Sequence, residues 1–191
     1  MTVCVFAASS SRIDNEYGVA AAKLGSLLAK AGIEVVFGGG GIGLMGKMAD
    51  AVLENGGKIT GVLPSFMKEE GWGHLGLNEM IITGDMSERK KKMFSMSDAV
   101  IALPGGIGTL EELTEAITLK QLSLFSGPII ILNTLGYYRS LIKFIEHMID
   151  NHFMRFEHKG IWEIVNTPEE AIKALNNKNR GNKEWRKIAR I

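Results

Sequence analysis

An α/β fold, a doubly wound parallel sheet with helices on both faces, is predicted for this chain by three observations. Six short apolar runs, at 3–8, 33–37, 59–63, 80–83, 99–103 and 129–132, alternate with segments of helical periodicity, the pattern of βαβ units. Two of those runs, ending at Phe37 and Leu103, lead into glycine-rich loops that open helices, as in sheets that bind ligands at the carboxyl ends of their strands. The length of 191 residues suits one continuous core, so 1–175 reads as a single Rossmann-like nucleotide-binding domain followed by a basic tail over 176–191.

The run 3–8 reads as a buried strand. The helix after it, about 16–31, places Val19, Ala22, Leu24, Leu27 and Leu28 on a broad apolar face and stops at Gly32. Beyond the strand 33–37 and the first glycine loop comes a helix over 44–54, ending at Asn55-Gly-Gly57, with Leu44 and Met45 set to pack and to border a pocket. Residues 64–78, with Gly71, Trp72, Gly73 and Gly76, show no period and read as a mobile loop over the site, from which Glu69 and Glu70 reach a polar ligand group. A short helix at 87–96, capped by Ser87 or Asp85, carries Arg89, Lys90, Lys91 and Lys92. Consecutive cations point around more than one face, so only one or two serve a ligand. The wholly apolar run 99–103 suits a strand buried in a parallel sheet. The helix of 109–124 carries Leu113, Ile117, Leu122 and Leu124, with Phe125 just beyond, more apolar positions than one buried face requires. A strongly amphipathic helix over 137–151 follows, and Thr167-Pro-Glu-Glu170 starts the last helix with a capping box and proline at its first position.

The chemistry concentrates in Leu103-Pro-Gly-Gly-Ile-Gly-Thr-Leu-Glu-Glu112. Gly105, Gly106 and Gly108 remove side chains that hold a ligand off the backbone, and the free N–H groups of the helix beyond favour a phosphate, with Ser9 or Ser10 as helpers. Glu111 and Glu112 repel an anion and must face something else. One reading is local: Thr109-Leu-Glu-Glu112 matches a capping box. The other is chemical, and the second glycine loop, Phe37-Gly-Gly-Gly-Gly-Ile-Gly-Leu-Met-Gly46, favours it, because two such loops describe a nucleotide crevice better than one cap does. A carboxylate there stabilises an oxocarbenium-like ribosyl cation or orients water. Adjacent helical residues point about 100° apart, so only one of the two acids faces the sugar. Arg89 is the best electrostatic partner, since a guanidinium keeps its charge and forks onto phosphate, hydroxyl or carboxylate oxygens.

Together, the first glycine loop, the segment Met86-Ser-Glu-Arg-Lys90 and Pro104-Gly-Gly-Ile-Gly-Thr-Leu-Glu-Glu112 resemble the LOG (Lonely Guy) family of cytokinin-activating phosphoribohydrolases, a group often mislabelled lysine decarboxylase. The motif Pro-Gly-Gly-x-Gly-Thr-x-x-Glu is specific, where a lone Gly-x-Gly-x-x-Gly is weak. Ala7-Ala-Ser-Ser10 stands where the family usually has Cys-Gly-Ser-Ser, and Ser87 where many members carry His. The resemblance implies hydrolysis of the N-glycosidic bond of AMP or N6-modified AMP to the free base and ribose 5-phosphate. It assigns Arg89 and Glu112 as the catalytic pair and Lys90, Gly106, Ile107, Gly108, Thr109, Leu110, Glu111, Glu112 and Thr118 as ligand contacts; the residue reading adds Ser9, Ser10, Gly39, Gly40, Met45, Glu70 and Gly105. It further implies a homodimer formed through the helix after Thr109. The hydrolysis needs no metal or organic cofactor, and nothing marks a lysine here for a pyridoxal Schiff base. The alternative is a non-catalytic carrier of a nucleotide or nucleotide-type cofactor, which uses similar loops without chemistry; Arg89 with Glu112 favours the enzyme.

Composition bounds the partners. A formal charge of +1 and 46% hydrophobic residues fit an ordinary soluble protein, and no apolar run approaches the ~20 residues of a membrane span. Met1-Thr-Val-Cys-Val-Phe lacks a basic leader and a cleavage site, so a cytoplasmic location is expected. Cys4, the single cysteine, reads as an inert core thiol, and with His74, His147, His152 and His158 it makes no metal-binding spacing. His74 falls near the crevice and the other three on helix surfaces or loops. Lys178, Arg180, Lys183, Arg186, Lys187 and Arg190 oppose only Glu184 in the tail, which reads as solvated. Trp185 is its one aromatic, so neither a nucleic-acid partner nor a membrane is expected.

Overall fold

The computed structural model describes residues 1–176 and Trp185; the basic tail of the sequence analysis, Trp185 apart, lies outside the described residues. The strands are β1 (Thr2–Phe6), β2 (Glu34–Phe37), β3 (Ile59–Pro64), β4 (Glu79–Thr83), β5 (Ala99–Ala102), β6 (Ile129–Leu132) and β7 (Trp162–Val165). They form one sheet in the order β4-β3-β2-β1-β5-β6-β7, every neighbouring pair parallel. The helices are α1 (Asn15–Lys30), α2 (Gly43–Glu54), α3 (Ser65–Glu69), α4 (Met86–Ser95), α5 (Ile107–Gln121), α6 (Arg139–Asp150) and α7 (Pro168–Leu175).

The strand period of two sorts the core into layers. Val3 and Val5 of β1 and Val35 and Phe37 of β2 pack with Leu24 and Leu28 of α1, Met48 and Val52 of α2 and Ala171 of α7. Cys4 and Phe6, pointing the other way, pack with Met93 of α4, Leu113 and Ala116 of α5 and Ile145 of α6. This is the doubly wound arrangement. The chain builds outward from β1 to β4, then returns to lay β5 on the other side of β1. That reversal opens a crevice at the carboxyl ends of β1 and β5, into which loops from both halves project.

Local chemistry sets the ends of the helices. Asp14 accepts from the Glu16 N–H at 2.9 Å to start α1, and Asp85, of the two candidates, accepts from the Glu88 N–H at 2.7 Å to start α4. The capping box of α7 forms as expected, Thr167 Oγ1 accepting from the Glu170 N–H and Glu170 Oε2 from the Thr167 N–H. The one that the Thr109 spacing also allowed does not. The helix begins two residues earlier, with Gly106 as its first flanking residue and no side-chain cap, so Thr109 is already helical and Glu112 is released for another partner. Three other expectations change. Residues 64–78 are not without regular structure: they contain α3, Gly73 bridges to Gly40, and the His74 N–H donates to the Gly39 carbonyl at 2.9 Å. β7 is an additional edge strand. His158, expected at the surface, is buried. Cys4 is the buried core thiol expected, its pKa driven well above the usual thiol value by burial and then by the nearby Glu112 charge. No helix among the described residues is long and apolar enough to cross a membrane.

The entry to α2 depends on one backbone geometry. Gly43 has φ +71°, and a methyl group there would lie 2.6 Å from the Ser10 carbonyl oxygen, where the next two N–H groups, of Leu44 and Met45, donate to the Ala8 carbonyl and join α2 to the end of β1. Gly56 has a similar φ, +70°, with open space around it. Gly43→Ala is therefore expected to cost roughly 2 to 4 kcal/mol, backbone strain plus a clash that must be relieved, and Gly56→Ala only about 1 to 2 kcal/mol, both read by denaturant unfolding.

Candidate active site

Arg89 is delivered from the first turns of α4 into the crevice, where its guanidinium is fixed by three acceptors. Nε donates to the Val62 carbonyl at 3.0 Å, Nη2 to the Gly38 carbonyl at 3.1 Å and Nη1 to Glu112 Oε1 at 3.2 Å. The first two acceptors lie at the carboxyl ends of β3 and β2, so the side chain ties two strands to α5. A methyl group on Gly38 would lie 2.0 Å from Nη2; the missing side chain is what lets the guanidinium seat there.

Glu112 answers from the second turn of α5. Both partners are almost sealed from solvent, their side chains 8% and 10% exposed. Burial pushes the Glu112 carboxyl up to about 7; Arg89 pulls it down, Glu111 pushes it up, Lys90 pulls it down and Glu115 pushes it up. The acid thus changes charge near neutral pH, the range in which a carboxyl group serves proton-transfer or cation-stabilising chemistry.

Lys90, next on α4, points away from this pair. Its Nζ bridges Glu111 and, at 2.7 Å, Glu115 on the outer side of α5, and those contacts hold its pKa above the usual lysine value. Two neighbouring cations on α4 therefore engage different acids on α5: Glu112 inside, Glu111 and Glu115 at the rim.

The Arg89–Glu112 pair forms part of the wall of a cavity of about 540 Å³. One side is the end of β1, Ala7 to Ser9, with Gly106 to Thr109 at the start of α5, whose first N–H groups have no partner within the helix. Opposite lie Gly38, Gly40, Gly41 and Ile42. The remaining wall is apolar: Met45, Leu63, Met67, Trp72 and Met86. Of the residues singled out in the sequence, Ser9, Gly40, Met45, Arg89, Gly106, Ile107, Gly108, Thr109 and Glu112 meet here. Others do not reach the wall. Ser10 faces a smaller adjoining cavity of about 230 Å³. Gly39 supports the 64–78 segment through its carbonyl, and Gly105 and Leu110 lie behind the loop. Glu70 is exposed at the end of α3, Lys90 and Glu111 pair with each other, and the Thr118 hydroxyl donates to the Thr114 carbonyl farther along α5. Sequence reasoning missed the apolar wall, since Leu63, Met67 and Met86 converge only through the fold. It also missed Tyr137 and Tyr138, whose hydroxyls donate to the Gly105 and Leu103 carbonyls at 2.6 and 2.7 Å. His74 adjoins the crevice through its backbone, while its Nε2 lies 2.9 Å from Asp50 Oδ1 on α2.

Comparison with known proteins follows the same lines. Residues 45–175 match a family model described as "Possible lysine decarboxylase". Two cytokinin riboside 5'-monophosphate phosphoribohydrolases of Arabidopsis thaliana are each 41% identical over 174 residues, 91% of this chain and 80% and 81% of theirs. Among solved structures, the molybdenum cofactor carrier protein of Chlamydomonas reinhardtii superposes with a TM-score of 0.72 at 22% identity over 92% of this chain and 95% of that one. A molybdenum cofactor binding protein of Rippkaea orientalis does so with a TM-score of 0.70 at 24% identity, over 92% and 94%. At that identity the two share the fold alone, whereas the family match and the Arabidopsis relatives extend to sequence over most of the chain, and on them the protein belongs to the LOG family of cytokinin riboside 5'-monophosphate phosphoribohydrolases.

Proposed function

We propose that this protein hydrolyses the N-glycosidic bond of AMP or an N6-modified AMP, releasing the free base and ribose 5-phosphate, with Arg89 and Glu112 as its catalytic pair. The observation that carries the reading is the buried carboxyl of Glu112 beside the free N–H end of α5 in one cavity. An anion carrier gains nothing from an acid at that point. The N–H groups of Ile107 to Thr109 receive the 5'-phosphate, helped by Ser9. Bound there, the ribose turns its anomeric carbon toward Glu112, whose carboxylate stabilises the positive charge that develops as the base departs and orients the attacking water. The hydroxyl of that water ends on the anomeric carbon and its proton leaves with the base. Arg89 holds the carboxylate in place, and the apolar wall of Met45, Met67, Trp72 and Met86 receives the base and an apolar N6 substituent. In this reading Lys90 and Glu111 act at the rim rather than on the ligand.

Chromatographic separation of the products after incubation with AMP and with N6-isopentenyl-AMP tests the activity. Release of the base from one or both is expected, and nucleotide binding without base release would return the site to the carrier reading. Glu112→Gln is expected to retain the fold and most nucleotide binding but to lower base release by at least about a hundredfold, because the charge matters to the transition state more than to the ground state. Near-normal turnover in a folded variant contradicts the assignment.

The pH dependence follows from the same acid. With its pKa raised to about 7, Glu112 is mostly protonated at pH 6 and mostly ionised at pH 8. The carboxylate form is the active one, so kcat/KM is expected to rise with pH through about 7 and then level off. Lys90→Gln removes a charge that favours the ionised form and is expected to move this limb upward; Glu111→Gln removes one that opposes it and should move the limb downward.

We also infer a homodimer. The sequence argument for it narrows, since Leu113, Ile117 and Phe125 are buried within the chain itself. Leu122 and Leu124 remain exposed, as do Phe144, Phe153 and Phe156, an apolar surface that self-association would cover. Light scattering after size-exclusion chromatography is expected to give twice the chain mass, and an active monomer at assay concentration would contradict it.

A further inference from the structure

The peptide between Gly105 and Gly106 has glycine on both sides, and nothing in its own side chains stops it from turning over. Its orientation decides whether the cavity meets an N–H or a carbonyl oxygen, that is, whether an anion is attracted or repelled. In a trans peptide the two groups point in opposite directions, so whatever holds the carbonyl sets the N–H. The structure ties back three consecutive carbonyls of this loop. The Leu103 carbonyl accepts from the Tyr138 hydroxyl at 2.7 Å, the Pro104 carbonyl from the Ala8 N–H at 3.1 Å and the Gly105 carbonyl from the Tyr137 hydroxyl at 2.6 Å. The N–H of Gly106 is thereby directed away from Tyr137, and Gly106 lines the cavity, whereas neither tyrosine does.

The two tyrosines are themselves held. The Tyr138 N–H donates to Asn133 Oδ1 at 2.8 Å, and Leu135 and Gly136 ahead of them take left-handed φ values of +53° and +72°, turning the chain back toward the loop. The Tyr137 ring stands edge-on to Tyr138 at 5.0 Å between centroids and to Tyr17 of α1 at 5.9 Å. A residue that only filled space here would use the rings; the hydroxyls are aimed at two particular carbonyls on either side of Pro104.

We propose that Tyr137, supported by Tyr138, is a positioning residue for the phosphate subsite: its hydroxyl locks the Gly105–Gly106 peptide with the N–H toward the cavity and so sets the affinity for the ligand's phosphate group. This rests on the phosphate end of the cavity lying at the start of α5, as in the function proposed above. It touches no substrate and acts through the peptide alone.

The test is Tyr137→Phe in the full chain, which keeps the ring and its contacts, with calorimetric binding of inorganic phosphate, ribose 5-phosphate and adenosine. Loss of one hydrogen bond that orients the loop is expected to weaken both phosphate ligands about fivefold to tenfold and to leave adenosine within about twofold. In turnover, KM for AMP is expected to rise more than kcat falls. Unchanged phosphate binding, or an equal loss for adenosine, overturns the proposal, because a merely structural role weakens all ligands alike. Tyr138→Phe provides a second variant with the same expected split should Tyr137→Phe fail to fold. Binding does not require catalysis, so the outcomes separate. Wild-type protein that binds ribose 5-phosphate but releases no base from AMP ends the hydrolase reading and leaves the tyrosine lock standing, whereas wild-type protein that binds neither phosphate ligand ends the lock.

Discussion

The contact between the Arg89 guanidinium and the Glu112 carboxylate is the interaction on which the rest of the site depends. Removing two charges from water costs several kcal/mol per ion, and one contact at 3.2 Å does not return that. Arg89 makes up its share with the Val62 and Gly38 carbonyls, to which it donates at 3.0 and 3.1 Å. Among the described residues the donor to Glu112 is Arg89, and burial, only partly offset by that cation, raises its pKa to about 7. A fold selected for stability alone has no use for such an acid. A site that must stabilise a transient cation does, because an under-solvated carboxylate gains most when positive charge develops beside it.

Several features of the chain read as consequences. Gly38 lacks a side chain because Nη2 occupies its space. Lys90 takes Glu111 and Glu115, which leaves Arg89 with one acid and offsets the repulsion those two exert on Glu112. The 64–78 segment is stitched to the glycine loop at Gly39 to Gly41, holding Trp72 and Met67 over the opening. The molybdenum cofactor proteins share the fold at 22% and 24% identity, and a shared fold does not by itself choose a chemistry.

The core of this architecture was legible in the sequence because parallel strands write apolar runs, and six of the seven strands did so, among them the edge strand β4 through Met80-Ile-Ile82. Trp162-Glu-Ile-Val165, at the other edge, did not: it keeps Glu163 and half-exposes Ile164, which erases the run. Arg89 and Glu112 were singled out through motif and charge, and the fold brings them into contact in the crevice. Their neighbours were harder, because Lys90 and Glu111 look equivalent to them in one dimension and are separated only by which helix face meets the crevice. The capping-box pattern at Thr109 was the competing local reading, and it fails for a related reason: the residue spacing fits, but Gly106 starts the helix earlier and the acid pairs with Arg89 instead. Tyr137 and Tyr138 left no sequence signal, since their hydroxyls act on backbone carbonyls more than thirty residues away.

The central claim is that Arg89 and Glu112 work as one unit in breaking the glycosidic bond. A double-mutant cycle on the rate of base release, comparing Arg89→Gln, Glu112→Gln and the double variant with wild type, measures it directly. The account predicts that either single change removes nearly all the activity and that the double variant is about as slow as the slower single one. Losses that multiply would show two residues acting independently, and singles that retain wild-type rates would put the chemistry elsewhere.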